Sequence, residues 1–334
     1  RDPRPMERAM SGAQRDLAIG LAVLAVLAGV VAIAGLSFGA VPVSIAEALR
    51  GSGGARTILV ELRLPRVLLA GAIGAVLATA GATFQTLLRN PLADPFILGV
   101  SGGAACGAAV ATAAGAAAVP GAVAASSFAG ALAATLAVVL IARRHGRVDP
   151  SRLVLAGLVL NAFFSATILL ALSLIRGSDL TAALHWMMGS LAAASWNGVL
   201  LVGGAAVASI AVSIWIANDV RMLGFGDEDA RARGVATERI KAIGFITASL
   251  ATGAAVAASG IIGFVGLMVP HALRMIWKRD YRVLLPLSAL GGAALLIAAD
   301  LIARTAVAPA ELPLGALTAL LGVPFFLVLL RRRA

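Results

Sequence analysis

Apolar residues in this chain come in long unbroken runs, not in the alternation of a half-buried strand or the one-sided stripe of a surface helix. Runs near residues 17–36, 66–88, 121–142, 153–175, 193–216, 239–258, 283–303 and 312–330 each approach the length that crosses a membrane. A hydrocarbon core of roughly 30 Å takes about 20 helical residues at about 1.5 Å each. Two shorter runs, near 95–113 and 262–276, are too apolar for loops and are expected as short or discontinuous spans packed inside the bundle. The pattern therefore predicts an all-α, polytopic membrane protein of about ten transmembrane helices. Residues 1–16 read as a cytoplasmic N-terminal segment and 17–334 as the transmembrane domain. The first run lacks a small-residue cleavage site and is expected as a span, not a cleaved signal.

Several span boundaries carry their own signals. Asp94-Pro95 and Asp149-Pro150 each place a helix-capping acceptor before a proline suited to the first helical turn, and Pro313 suits the first turn of the last helix. Span interiors are rich in small residues, as from Ala70-Gly71-Ala72 through Gly81-Ala82-Thr83. Close helix packing and a thin-walled path both fit that composition, with packing favoured. The second and third spans loosely repeat in the seventh and eighth: a Gly/Ala-rich helix, then Phe96-Ile97-Leu98-Gly99-Val100 or Gly263-Phe264-Val265-Gly266-Leu267. Such a repeat implies two inverted five-helix halves.

Charge sharpens the topology. With the N-terminus inside and ten spans, only Arg50, Arg56, Arg63, Arg66, Arg176 and Arg304 of the 27 lysines and arginines fall outside. The excess of basic residues on the inner side puts both termini in the cytoplasm. Composition agrees: 60% of residues are hydrophobic and 13% charged, against about 45–50% and 25% in soluble proteins. The net charge of +11 sits in short clusters between spans, which excludes a nucleic-acid face. Cys106 stands alone, so no internal disulfide exists, and no Cys/His spacing suggests a metal site or a resident cofactor.

The functional classes narrow accordingly. An ion-coupled secondary transporter, the alternative from another class, usually needs acids at mid-depth. The clearest acid in a span is Asp300, with Arg304 one turn later, an i,i+4 pair near the outer end. Gln85, Asn161, Ser165 and Thr167 either line a path or hydrogen-bond between helices. A membrane-embedded enzyme would need a His/Glu/Asp cluster at catalytic spacing, which is missing. ATP could supply the energy, yet no phosphate-binding loop exists: the only lysines, Lys241 and Lys278, do not follow glycine. A separate ATPase subunit, holding the ATP and magnesium, would then need a docking surface. The inside loop at about 217–241 offers one, since Leu223 to Val235 reads as a polar helix stopped by glycines at both ends.

Six ordered blocks carry a resemblance. They are Leu64-Pro65-Arg66; Gln85 through Pro95 with Leu98-Gly99-Val100-Ser101; Trp186-Met187-Met188-Gly189-Ser190; Leu223 to Val235; Gly263 through Leu267 with Pro270-His271-Ala272-Leu273-Arg274; and Glu311-Leu312-Pro313-Leu314-Gly315. From about Leu59 onward the chain resembles the permease subunits of type II ABC importers for iron chelates, haem and vitamin B12. The resemblance implies a bacterial inner-membrane subunit that pairs with a second copy of itself. Two cytoplasmic ATPase subunits and a periplasmic substrate-binding protein complete the assembly, in contact with membrane lipid and with no nucleic acid. It also implies that Gly226, Asp227, Glu228, Ala230, Arg231 and Gly234 belong to a coupling helix seated on the ATPase. Asn90, Pro91, Leu92 and Ser151 match a cytoplasmic gate, and Arg63, Arg66 and Arg304 match positions that meet acids of the binding protein. No residue matches a catalytic role. Haem is set narrowly ahead of ferric siderophore and cobalamin as the transported ligand. His271 falls in a shared Pro-His block, where a helix-end hydrogen bond is favoured over an iron ligand. His185 is placed near the outer surface within reach of substrate, and His145 in a basic inside loop.

Overall fold

The computed structural model describes residues 4–39, 41, 46, 48, 51, 53–96, 98–144, 147–277 and 280–333. Arg50, Ile97, His145 and Lys278, all named in the reading above, lie outside the described residues. Ten helices correspond to the ten apolar runs. They are α1 (Arg4–Ser37), α2 (Leu64–Leu87), α3 (Val100–Ala113), α4 (Ala122–Ala142), α5 (Pro150–Leu174), α6 (Trp196–Trp215), α7 (Thr237–Ser259), α8 (Val265–Ile276), α9 (Tyr281–Thr305) and α10 (Leu314–Arg333). Seven are long and apolar enough to cross a membrane, and α3, α8 and α10 are shorter apolar helices. The chain is an all-α polytopic membrane protein; among the described residues the only ladder is a two-residue hairpin pairing Arg143 with Val148 and Arg144 with Arg147.

The core forms around α2, which packs against α6, α7, α8 and α9, while α3 packs against α4 and α5. Backbone proximity explains the small residues: a Cβ placed on Gly74 would lie 2.1 Å from the carbonyl oxygen of Gly292. At that site α2 and α9 touch main chain to main chain, which lipid-buried helices favour because dispersion replaces the missing hydrophobic drive. Two of the polar residues singled out in the spans hydrogen-bond between elements and a third within its own helix. Gln85 Nε2 donates to the carbonyls of Gly266 and Leu267, both at 3.3 Å. The Asn161 amide donates to Phe96 O at 2.9 Å, and Thr167 Oγ1 to Phe163 O in its own helix.

The inverted halves have a local signature. Helix α3 starts after a left-handed Gly99 (φ 79°), and α8 starts after a left-handed Phe264 (φ 68°). In each half a long central helix ends, the chain turns back non-helically, and a short helix follows. Helix α7 comes five spans after α2, an odd offset, so the two copies run in opposite senses.

Two boundaries depart from expectation. Helix α1 begins at Arg4, well before its apolar span at Leu17–Ser37. Asp94-Pro95 does not open α3: Asp94 Oδ1 accepts from Phe96 N at 2.8 Å, closing an Asx turn, and helix begins only at Val100. Asp149 does cap α5, accepting from Ser151 N and Arg152 N with Pro150 at the first position.

Candidate functional site

At the outer end, of the three arginines expected to meet a binding protein, Arg63 and Arg304 turn inward while Arg66 stays half-buried. Arg63 ends a π-helical turn, Ile58–Arg63, that runs directly into α2. Its Nη1 donates to the carbonyls of Leu36 (2.7 Å) and Ser37 (2.8 Å), and its Nη2 to Val41 O. Arg304 donates to Gly35 O from the other side. Both cations thus meet the bare carbonyls at the C-terminus of α1, the negative end of its dipole. Arg63 and Arg304 are only 5% and 6% exposed. Arg66 takes a different course, binding both carboxylate oxygens of Asp300 at 2.9–3.1 Å. It also binds both oxygens of Glu311, at 2.7 and 2.9 Å. Asp300 was expected to pair with Arg304; that i,i+4 contact exists at 3.5 Å, but Arg66, 234 residues away, is its main partner. The Arg66 hydrogen bond holds the Glu311 carboxyl below the ordinary glutamate range, against its partial burial.

At the inner end, α2 stops at a tight reversal. Arg89 adopts positive φ (50°), Asn90 N bonds Gln85 O at 3.1 Å, and Ala93 N bonds Asn90 O at 3.1 Å. Asn90 Oδ1 accepts from Leu92 N at 2.9 Å, and Pro91 has no N–H to place. The outcome is a rigid turn with Leu92 at its tip, 45% exposed. Ser151 is exposed in the first turn of α5, its N–H held by Asp149.

The 217–241 segment forms two short helices, Ala217–Leu223 and Asp227–Ala232. Gly226 (φ 138°) and Gly234 (φ 82°) take backbone conformations that side chains rarely adopt, so glycine bounds the second helix at each end. Asp227, Glu228 and Asp229 occupy its first turn, where the dipole favours negative charge. Ala230 is fully buried against the bundle, while Glu228, Asp229 and Phe225 are exposed. Arg231 lies 3.8 Å from Asp227 and 3.5 Å from Glu238, and its Nε donates to Thr237 Oγ1 at 3.1 Å. Lys241, its side chain 2% exposed, donates to Asp227 and lies 3.7 Å from Glu238.

A cavity of about 490 Å³ opens between the α2–α3 loop, α8 and α10, lined by Phe96, Met187, Met188, Phe264, Leu267 and Ala316 among others. Its size falls in the range of small-molecule sites. Asp94 is its one charged lining residue. His271 lies inside α8, buried, its ring 5.6 Å from that of Phe326 and 6.4 Å from that of Phe325. His185 Nδ1 is 2.9 Å from Thr181 O, within its own short helix. Among the described residues no group of three or more His, Cys, Asp or Glu is placed to hold a metal. Sequence reasoning missed the roles of Glu311, Glu238 and Lys241. The rarity of lysine in the chain was the one usable signal, and it marked Lys241 and Lys278 alike.

Residues 24–332 match the model of the FecCD transport family. The permease protein of a hemin transport system from Yersinia pestis is 39% identical over 279 residues, covering 83% of this chain and 84% of that protein. A cobalamin import system permease protein from Halobacterium salinarum is 40% identical over 281 residues, covering 84% and 74%. A solved structure of a metal-chelate type ABC transporter in an inward-facing conformation superposes with a TM-score of 0.84. It has 28% sequence identity and covers 93% of this chain and 98% of the other. With its ten helices, inverted halves and match over nearly its whole length, this chain belongs to the FecCD transport family and is a permease subunit.

Proposed function

We propose that the chain is the membrane-spanning subunit of an ATP-binding cassette importer that moves a metal chelate, haem, into the cytoplasm across a bacterial inner membrane. It works as a pair with a second copy, above two ATPase subunits and below a periplasmic binding protein, with both termini cytoplasmic. The observation that carries this reading is the Asp227–Ala232 helix: a charged, glycine-bounded, partly exposed element fastened to the bundle in a chain without a phosphate loop of its own. Energy must then arrive from outside the chain, and this helix is a surface able to receive it. Leu92 at the tip of the α2 turn, with Ser151 at the start of α5, forms the gate. Arg66 and Glu311 are the charges within reach of a docking protein, with Arg63 and Arg304 bracing α1 behind them. Relatives named for hemin and for cobalamin match almost equally. The lining of Phe96, Phe264, Met187 and Met188 suits the flat apolar face of a porphyrin better than the amide-rich rim of a corrin, which supports haem.

The test is reconstitution of the chain with candidate ATPase and periplasmic binding-protein subunits, followed by uptake of hemin, cobalamin and ferric hydroxamate. ATP-driven hemin uptake at least about tenfold over the other two is expected. Uptake of cobalamin or siderophore instead moves the substrate assignment, and uptake driven by an ion gradient without ATP overturns the importer reading.

A further inference from the structure

The inner charge cluster makes one contact that local helix pairing does not explain. Glu238, in the first turn of α7, splits its carboxylate between two directions. Oε1 faces Arg231 Nη2 at 3.5 Å and Lys241 Nζ at 3.7 Å. Oε2 accepts a hydrogen bond from the main-chain N–H of Val148 at 2.8 Å, across 90 residues. Arg231 belongs to the Asp227–Ala232 helix, and Lys241 also donates to Asp227 in that helix. Val148 belongs to the hairpin that joins α4 to α5, and the next residue, Asp149, caps α5 by holding the N–H groups of Ser151 and Arg152. One side chain therefore touches both the exposed helix and the segment that begins α5.

We propose that Glu238 is a positioning residue that transmits displacement of the Asp227–Ala232 helix to the start of α5. The two ends of the link differ in kind. The exposed helix meets Glu238 through the longer ion pair of the partly exposed Arg231, which tolerates small shifts because Coulomb energy changes slowly with distance, while the enclosed Lys241 holds Asp227 closely. The hairpin is gripped by a short, charge-assisted hydrogen bond, which is directional and follows the carboxylate. Helix α7 carries Glu238 and Lys241 on its first turns, so a movement of the exposed helix shifts the α7 entrance and, through it, Val148. A second proximity points the same way: Gly226, the residue that opens the exposed helix, lies near the Arg89 side chain, since a methyl placed on it would lie 3.7 Å from Arg89 Nη1, next to the Asn90-Pro91-Leu92 turn. The exposed helix thus sits beside both segments assigned to the gate. The functional meaning of this link rests on the importer reading, whereas its geometry does not.

Two measurements separate them. In the purified permease alone, Glu238→Ala raises hydrogen exchange across residues 147–152 at least about tenfold, while Glu238→Gln, which keeps an acceptor oxygen, stays near wild type. Wild-type exchange in Glu238→Ala overturns the link whatever the chain transports. In the assembled complex, Glu238→Ala lowers chelate transported per ATP hydrolysed about tenfold while hydrolysis stays within about twofold, and Glu238→Gln, which loses the ion pairs to Arg231 and Lys241, lowers the ratio at least about threefold. A merely structural role would lower both activities together and leave the ratio unchanged, which also overturns the proposal. If Glu238→Ala fails to assemble, Glu238→Gln decides alone: a wild-type transport ratio, or loss of its exchange protection, sinks the assignment. A wild-type complex without ATP-driven uptake would count against the importer reading, and the exchange result would then decide the link.

Discussion

The two ends of the bundle each carry an ion network, and the networks are built to opposite specifications. At the outer end, Asp300 and Arg66 have side chains 3% and 13% exposed and meet through paired hydrogen bonds at 2.9–3.1 Å. That network ties α2 to α9 and to the loop before α10, and its neighbours Arg63 and Arg304 hold the end of α1. At the inner end, Asp227, Glu238 and Arg231 are 26%, 30% and 35% exposed, and three of their four ion pairs span 3.5–3.8 Å, the exception being the close Lys241–Asp227 contact. Only Lys241 is fully enclosed there. Buried charges with complete hydrogen bonding lock elements in place, and removing one partner leaves the others uncompensated. Partly solvated pairs at longer range contribute little stability each and can exchange partners. The comparison teaches that the outer network is a clamp and the inner one a movable linkage.

The largest expected effect breaks the clamp. Asp300→Ala leaves Arg66 and Arg304 facing a vacancy in a buried site, and should cost about 3–5 kcal/mol in unfolding of the detergent-solubilised permease. A loss below about 1 kcal/mol would show that the outer cluster is no more a clamp than the inner one. The inner linkage should respond in function instead. Glu228→Lys combined with Arg231→Glu should change stability by less than about 1 kcal/mol yet lower ATP-driven uptake at least about tenfold, or about 1.4 kcal/mol in transition-state terms. Normal uptake in that double variant would remove the Asp227–Ala232 helix from energy coupling.

A third prediction sharpens the same contrast through the gate beside the inner network. Leu92→Cys, in a Cys106→Ser background, should form a disulfide between two copies of the chain, and its yield should change with nucleotide in the assembled complex. No cross-link in any nucleotide state would place the Asn90–Leu92 turn away from a shared axis. The smallest effect concerns the carboxylate of the outer network that reaches solvent. Glu311, 37% exposed, should cost less than about 1 kcal/mol when changed to Gln. Its carboxyl is held below the ordinary glutamate value by Arg66. A depressed pKa adds stability above the unfolded value of about 4.3, and that contribution disappears as pH falls through the lower folded value. The stability gap between wild type and Glu311→Gln should therefore stay constant from pH 8 to about 5 and close below about pH 4. A gap that widens in acid would reverse the assigned sign.

Much of this molecule was determined by the sequence alone. The ten apolar runs found their ten helices because span length is a local property, set by the rise per residue and the thickness of hydrocarbon. Gly226 and Gly234 bounded their helix because positive φ is a property of a single residue. Asp149-Pro150 and Asp94-Pro95 show where locality ends. The same dipeptide caps α5 in one place and closes an Asx turn in the other, since in the second case the chain must travel back into the bundle before helix can resume at Val100. The arginines show it more strongly. Arg63, Arg66 and Arg304 looked like free outer charges because their neighbours in sequence offered only Asp300. Their actual partners are the carbonyls of Gly35, Leu36 and Ser37, the distant Asp300 carboxylate, and Glu311 beyond the end of α9. No periodicity encodes such pairings: burying a guanidinium demands acceptors from whichever chain segment packs against it, and only the tertiary structure decides which segment that is.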